Sequence, residues 1–441
     1  MREFIKFEIL RNMKRKEVKL IIFILFMCEL ILMITLYNKS SNEDVYSASS
    51  DWVATESYFV LNASPDLLKQ GKKDVQKLSE SLLLYSKYEQ DKDWQNMYLK
   101  AMEYNSYYGQ VFSYYPTDFS EYYINSDRLE QIRAKYDFPS IKSYGKILDP
   151  YANAAEMFSW PLHELTYFTE LYEKNLVPMT YSYVDSTTVF LQILRNILVY
   201  ATPILIILLF YNDRKEYHDM GIDKTMMVIP KARNRFIFGK VVANSLIIMM
   251  IIFGPILCFT LVLGIFDHFQ NLSYPLFANK AGISNIHYSF FPNLYNLGTL
   301  QESIESGVMT NFGLTYTSIN MLFNPYMDFI PLWQGILLTL ILYIALIFLY
   351  VQINMFITRL IKNPNLALTI NIALILALIF ISPLTSMEFI NSFNPLTYRD
   401  PGMNVMGTSY YPWSLGMLVI FSYNIILYLG NRIVFAKKYY G

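Results

Sequence analysis

The chain has 441 residues, of which 54% are hydrophobic and 16% charged, and its formal net charge is zero. Soluble globular proteins carry about 25% charged residues, so this composition argues against that class and favours a membrane protein. A balanced charge gives no indication of a nucleic-acid partner. The cysteines, Cys28 and Cys258, lie in apolar runs, which argues against a disulfide framework. The four histidines show no metal-ligand spacing, so no metal site is predicted.

Six apolar runs approach the length of about 20 residues that a helix needs to cross a bilayer. The first has a basic start like that of a signal peptide, but its apolar stretch exceeds the usual core of about 7–15 residues, so we expect a retained helix. The predicted fold class is an all-α membrane protein with six transmembrane helices. Their predicted bounds are 20–37, 189–211, 241–266, 331–353, 366–384 and 413–430.

Basic residues set the predicted orientation. Four segments on one side of the predicted helices carry 19 Lys and Arg residues, whereas the two later loops on the other side carry two. The positive-inside rule then places both termini in the cytoplasm, and an even number of spans agrees. The abundance of Ile, Asn, Lys and Tyr suggests an AT-rich bacterial genome, so we expect a bacterial cell membrane. The basic segments are 1–19, 212–240, 354–365 and 431–441, and the other loops are 267–330 and 385–412.

Segment 38–188 is then predicted to lie outside the cell. It carries 14 Lys and Arg against 22 Asp and Glu, and it has no run long enough to span a membrane. Ser64 and Pro65 form a plausible N-cap and first helical position before an apolar stripe of helical spacing. We expect a mostly helical extracellular domain between helices 1 and 2, with its many tyrosines in the core and facing the membrane. A ligand-facing aromatic surface is the alternative. The stripe comprises Leu67, Leu68, Val75, Leu78, Leu82 and Leu83.

The N-terminal segment 1–19 is predicted to form an amphipathic helix. Phe4, Ile5, Ile9 and Met13 alternate with basic residues, which favours a helix at the cytoplasmic surface with its bases near anionic headgroups. The alternative is a solvated basic leader that only sets the topology.

No catalytic motif occurs in the sequence. It contains no GxxxxGK[ST] phosphate-binding loop, no GxSxG, no HExxH and no CxxC pair. We therefore predict no catalytic residues and no cofactor in this chain. If the protein does work, the energy is expected to come from another chain.

The most informative stretch is 212–240. A charged half-turn ends at Gly221, an apolar piece with Met226 and Met227 follows, and Pro230 opens the next predicted helix, where its missing N–H costs nothing. Methionine packs adaptably. We therefore expect a short helix with exposed methionines here, and we predict that it is a docking surface.

This stretch resembles the permease subunits of ABC-2 type ATP-binding-cassette transporters. The six-helix pattern, the N-terminal surface helix and the orientation are also similar to that family. The sequence departs from the pattern at Ile222, where the family has Thr, and in its large insertion after the first helix. The residues that carry the resemblance are Gly221, Pro230, Arg233, Gly239-Lys240 and the stretch Asn394-Pro395-Leu396-Thr397-Tyr398.

The resemblance implies a cytoplasmic ABC ATPase subunit that binds ATP and Mg, and a second permease subunit, identical or different. It implies export of a peptide, drug or lipid-like substrate across the bilayer. The alternative hypothesis is a membrane-anchored sensor or immunity protein whose extracellular domain binds a toxic peptide without transporting it. The residues expected to couple to the ATPase are Glu216, Gly221, Lys224, Met226, Met227, Pro230 and Arg233.

Two charges lie inside predicted spans: Glu29 mid-way along the first, and Arg195 near the outer end of the second. A charge at mid-membrane costs about 2.5–3.5 kcal/mol on insertion scales, so such residues normally find partners. We predict a Glu29–Arg195 pair. The alternatives are a role in lining or gating a substrate path, and snorkelling of Arg195 to the interface.

Overall fold

The computed structural model is mainly helical. The part of the chain that the structure describes also contains a two-stranded sheet. Those described residues are 2–41, 65–112, 126–138, 154–179, 182–219, 221, 230–284, 328–384, 388–406 and 412–440.

The first half of the chain forms helices before, within and after a long insertion. The insertion is the segment between the first two apolar helices. In chain order the helices are α1 (Arg2–Met13), α2 (Lys16–Ser40), α3 (Pro65–Gln90), α4 (Trp94–Phe112), α5 (Ser126–Tyr136), α6 (Ala154–Glu173), α7 (Val189–Ile193), α8 (Val199–Phe210) and α9 (Asp213–Asp219). Two of these helices, α7 and α8, are joined by a π-helical turn (Leu194–Leu198) and form one continuous helix with it.

The second half of the chain contains the remaining long helices and the two short strands. A 3-10 helix (Gln270–Ser273) precedes the first strand, and another (Pro395–Tyr398) precedes α15. The other elements are α10 (Pro230–Asp267), β1 (Pro275–Ala278), α11 (Lys280–Ser284), β2 (Asp328–Pro331), α12 (Leu332–Leu360), α13 (Pro364–Leu384), α14 (Glu388–Phe393), α15 (Pro401–Met406) and α16 (Trp413–Tyr440).

Five of the described helices are long and apolar enough to cross a membrane, in agreement with an all-α membrane protein. They are α2, the run from α7 to α9, α10, α12 and α16. The sixth predicted span falls on α13, whose described apolar stretch Pro364–Ile379 is shorter than the other five. Helix α12 is central to the bundle, because α8, α10, α13 and α16 all pack against it.

Several helices extend beyond the apolar runs that predicted them. Helix α10 begins at Pro230, as predicted, well before the apolar run that starts at 241. Helix α12 continues to Leu360, which leaves only 361–363 between it and α13. The predicted tail 431–441 is helical to Tyr440. Hydropathy marks only the part of a helix that crosses hydrocarbon, whereas backbone hydrogen bonding continues the helix through the polar interface.

The described part of the insertion is helical, as predicted. Helices α3 and α4 pack together, and α6 packs on α4. Leu78 and Leu82 of α3 are buried, whereas Leu83, also assigned to the buried stripe, is 72% exposed. Tyr85 takes its place, because positions 78, 82 and 85 follow the helical repeat and share one face.

A short antiparallel sheet connects the insertion to the bundle, and the sequence did not predict it. Strand β1 pairs with β2, with Leu276 opposite Ile330. Tyr274, just before β1, is fully buried and shares a hydrogen bond of 2.5 Å with Tyr167 of α6. The Tyr274 hydroxyl also accepts a hydrogen bond of 3.1 Å from the Met179 backbone N–H. Through Tyr274, the insertion therefore packs against the segment between α10 and α12.

Candidate functional site

A cluster of buried charges lies where α1, α9 and α10 meet. The Lys240 Nζ atom of α10 is 2.8 Å from Asp213 Oδ2 of α9 and 3.0 Å from Glu8 Oε2 of α1. It also donates a hydrogen bond of 2.8 Å to the Tyr217 hydroxyl. Glu8 is fully buried, and Lys240 and Asp213 are nearly so. One ammonium group thus joins three helices that are separate in the sequence.

Arg11 adds a second cation to this cluster. One of its terminal nitrogens is 3.2 Å from Glu8 Oε2 and 3.6 Å from Asp213 Oδ1. Burial alone would lower the pKa of Arg11, but Tyr217 and the two carboxylates outweigh burial and raise it. The guanidinium group stays charged, so Arg11 and Lys240 balance the charges of Glu8 and Asp213. We call these four residues, with Tyr217, the charge cluster.

The N-terminal helix exists, but its contacts differ from those predicted. Its fully buried positions are Glu8 and Asn12, while the apolar residues of the predicted stripe are only half-buried and Phe7 is 50% exposed. Asn12 donates to the Glu8 backbone oxygen at 3.0 Å. The buried face of the helix is therefore polar, and its charged contacts with α10 cannot be inferred from the spacing of apolar residues.

Glu216 is paired within the chain. Its carboxylate forms a short ion pair with Arg15, at the corner between α1 and α2. The sequence assigned Glu216 to contact with a partner ATPase, whereas here its charge fastens α9 to the N-terminal segment. Both side chains are about a quarter exposed, so the pair lies at the edge of the charge cluster.

Aromatic side chains continue the charge cluster toward α16. Phe236 of α10 packs against Phe4, Tyr217 and Phe435, with ring centroids 5.3, 5.9 and 5.7 Å away respectively. This apolar group joins α1, α9 and the end of α16 to α10. The charged and aromatic contacts together join α1, α9, α10 and the end of α16 on one face of the bundle, which we call the basic side.

The predicted coupling residues are placed only in part. Gly221 has a φ of +66°, a left-handed conformation that favours glycine after a helix. Pro230 is the first residue of α10, and Arg233 lies within that helix. Lys224, Met226 and Met227 lie outside the described residues.

The two intramembrane charges are not paired with each other. Glu29 of α2 is fully buried, and neither of its carboxylate oxygens has a hydrogen-bond partner among the described residues. Arg195 lies in the π-helical turn, within electrostatic range of Asp400. The predicted Glu29–Arg195 pair is therefore wrong, because neither oxygen of Glu29 meets a hydrogen-bond donor among the described residues.

Buried amides join the membrane helices on the side of α12 that faces α13 and α16. Asn371 donates to Asn354 at 2.9 Å, and Gln352 donates to Asn424 at 2.6 Å. Asn431 donates to the Gln352 backbone oxygen at 3.2 Å. Side-chain hydrogen bonds across helices of this kind hold membrane bundles together.

The Asn-Pro-Leu-Thr-Tyr stretch forms a capped turn. The Asn394 side chain accepts from the Leu396 N–H at 3.0 Å and donates to the Leu378 carbonyl oxygen at 2.8 Å, which ties the turn to α13. Tyr398 is fully buried and donates to the Ser392 carbonyl oxygen at 2.8 Å. Its ring packs on Gly416 of α16, where an added Cβ would come within 2.6 Å. The stretch thus packs against both α13 and α16.

A polar network fastens the exit of the insertion to the end of α10. Asp267 accepts hydrogen bonds from the Ser186 N–H at 2.7 Å and the Ser186 hydroxyl at 2.6 Å. Asp185 accepts from Thr187, Thr188 and Asn271 at 2.7–2.8 Å. Any movement of α10 at this end must therefore be shared with the insertion or break several hydrogen bonds.

The chemistry of the described residues is that of charge pairing and packing. Among them, no group of three or more His, Cys, Asp or Glu side chains could hold a metal ion. No family model, curated protein or solved structure matches the chain. Its function must therefore be argued from its own residues.

Proposed function

We propose that this chain is the membrane-spanning permease subunit of an ATP-driven ABC-2 type transporter, with six transmembrane helices and cytoplasmic termini. The charge cluster carries the proposal, because it joins α1, α9 and α10, and α9 and α10 are the helices that flank residues 220–229. A segment that receives motion from a partner needs a rigid base, since a loosely held one would absorb the motion.

The geometry at both ends of that segment supports the proposal. Gly221 terminates α9 in a left-handed turn, and Pro230 starts α10 with a preset backbone angle. Gly221 and Pro230, which carry part of the family resemblance, thus lie shortly after the end of α9 and at the start of α10. Met226 and Met227 supply adaptable apolar contact, and Lys224 supplies charge, to a cytoplasmic ATPase that binds ATP and Mg.

The transport cycle follows from this arrangement. ATP binding closes the two nucleotide sites of the partner, and the motion passes through 213–229 to α8 and α10. A second permease subunit completes the path across the bilayer. At the far end of α10, the Asp267–Ser186 hydrogen bonds connect that helix to the insertion, which we assign to the extracellular side. The substrate class is a peptide, drug or lipid-like molecule that is exported.

Replacing Met226 and Met227 together by Asp tests the proposal. Both residues are predicted to lie outside the hydrocarbon, so membrane insertion should be unaffected. We expect the ATPase of the native host to copurify with the wild-type chain and to be lost from the variant. The matched control is Tyr439→Asp with Tyr440→Asp, which adds the same charges in the tail and should retain the ATPase. Wild-type copurification by the Met variant would contradict docking at this segment and favour the sensor or immunity hypothesis.

A further inference from the structure

Glu29 lies near the middle of α2, beside a group formed by the middles of three other membrane helices. Tyr343 of α12 is within electrostatic range of the Glu29 carboxylate. The Tyr343 hydroxyl shares a hydrogen bond with the Thr202 hydroxyl of α8. Its ring meets that of Phe253 of α10 edge to face, with the centroids 6.1 Å apart. A carboxyl group, two hydroxyl groups and aromatic rings therefore come together at the mid-depth of the bundle.

The Glu29 carboxylate is buried without compensation in the part of the chain that the structure describes. The residue is fully buried, and neither of its oxygens has a hydrogen-bond partner among the described residues. A carboxylate at this depth is costly in free energy, and such residues mark binding sites and transport paths in membrane proteins. Two empty acceptor oxygens on an anionic group favour a ligand with a positive charge and N–H donors.

The aromatic surroundings favour an organic cation over a metal ion. Phe26, one turn before Glu29 on α2, stacks with Phe259 of α10 at a centroid distance of 4.8 Å. Aromatic faces attract organic cations and also contact their apolar parts. A hard metal ion needs several oxygen ligands, and among the described residues no group of three or more His, Cys, Asp or Glu side chains could supply them. The chemistry around Glu29 thus suits a cation with an apolar body.

Helix α2 is the element that can uncover this site. Three of its 25 residues, all of which the structure describes, are buried: Val18, Leu25 and Glu29. These three lie on one face of the helix, which packs against α10 and α7. The site is closed in this conformation. A shift of α2 away from α10 would open it to a ligand in the bilayer and would break no hydrogen bond of the carboxylate among the described residues.

We propose that Glu29 binds an amphipathic organic cation at the mid-depth of the bundle. The carboxylate contacts the charged nitrogen, and the rings of Phe26, Phe259 and Tyr343 contact the apolar body. The inference rests on the proposed function and names its substrate class, a cationic drug-like molecule rather than a peptide or a neutral lipid. An unpaired buried carboxylate destabilises the empty chain, and stability lost at a binding site is a common consequence of function.

The test measures ligand binding by the intact chain, purified in a neutral detergent, with rhodamine 123 as the probe. This dye is a planar aromatic cation with N–H donors. Rhodamine 110 has the same rings but a free carboxylate in place of the methyl ester, so it is zwitterionic and serves as the matched control. Fluorescence polarisation should show saturable binding of rhodamine 123, about tenfold tighter than that of rhodamine 110. Glu29→Gln should weaken rhodamine 123 binding about tenfold or more, the loss typical of a hydrogen bond to a charged group.

Further variants separate binding from folding. Glu17→Gln removes an exposed carboxylate from the same helix and should bind rhodamine 123 like the wild type. The thermal midpoint of Glu29→Gln should be no lower than that of the wild type, so that lost binding does not reflect unfolding. Glu29→Leu should lose binding as well, and it takes the place of Glu29→Gln if the latter misfolds. Equal binding of the two dyes by the wild type, or unchanged rhodamine 123 binding in the variants at position 29, would overturn the proposal.

These measurements need no ATPase, so they separate the substrate class from the proposed function. Rhodamine 123 binding that depends on Glu29, in a chain with which no ATPase copurifies, would support the cation site and contradict the transport function. Copurification of an ATPase with a wild-type chain that binds no rhodamine 123 would support the transport function and overturn the cation site.

Discussion

The ammonium group of Lys240 lies 2.8 Å from the carboxylate of Asp213, and this pair joins α10 to α9, the short helix that follows α8. Asp213 is the first residue of α9, and Lys240 lies within α10, so the pair joins the two helices that flank residues 220–229. Lys240 also contacts Glu8 at 3.0 Å, so the same ammonium group joins the N-terminal helix to α9 and α10.

Replacing Lys240 by Met should destabilise the protein strongly. The substitution leaves Glu8 and Asp213 buried with only Arg11 to compensate them, and removal of one partner from a buried ion pair typically costs about 3–5 kcal/mol. The measurement is the thermal midpoint in detergent, with Lys215→Met as the control because Lys215 is exposed on α9. Adding Glu8→Gln to Lys240→Met should recover part of the loss. Equal midpoints for the two Lys variants would mean that the charge cluster contributes little to stability.

Replacing Glu29 by Leu should stabilise the protein. The carboxylate is fully buried without a hydrogen-bond partner among the described residues, and an unsatisfied buried polar group costs about 1–3 kcal/mol. Glu17→Leu on the exposed part of α2 is the control and should have little effect. Because Arg195 does not contact Glu29, the effects of Glu29→Leu and Arg195→Gln on the thermal midpoint should add. A strong departure from additivity would restore the ion pair predicted from the sequence.

Replacing Gly416 by Ala should disturb the turn before α15. The new Cβ would meet the Tyr398 ring at 2.6 Å, and overpacking of this kind typically costs about 1–3 kcal/mol. Gly254→Ala in α10 is the matched control, since no atom lies within 4 Å of its added Cβ. It should be neutral or slightly stabilising, because alanine favours helix by about 1 kcal/mol over glycine. Thermal midpoints of both variants, measured side by side, test the difference, and a Gly416→Ala midpoint as high as that of Gly254→Ala would contradict it.

Five of the six predicted spans fall on helices long and apolar enough to cross a membrane, because long apolar runs have few alternatives in a folded chain. The sixth, on α13, stays a prediction. The sequence predicted a helical insertion from the spacing of residues such as Leu78 and Leu82. It did not predict the sheet around Tyr274, because two strands of four residues carry too little periodicity to be recognised.

The site was harder to predict than the fold. The positive-inside rule counts Arg11 and Lys240 only as cytoplasmic positive charges, and that count says nothing about which residues they pair with. Glu8 and Asp213 are acidic residues within basic segments that hold other carboxylates too, and their pairing depends on how three helices meet. The spacing of Glu8 and Arg11, three positions apart on α1, was the one available signal of an ion pair within the site.

The predicted topology can be tested directly with single cysteines. Asp91 is exposed in the turn between α3 and α4 of the insertion, and Lys438 lies near the end of α16. Cys28 and Cys258 are on exposed faces of α2 and α10, so both are first replaced by Ser to remove background labelling. With cytoplasmic termini and an external insertion, an impermeant thiol reagent should label Asp91→Cys in intact cells. It should label Lys438→Cys only after the cells are permeabilised. Labelling of Lys438→Cys but not Asp91→Cys in intact cells would invert the orientation. Labelling of both in intact cells would leave an even number of crossings after the insertion, four in place of five, and α13 would then not span the membrane.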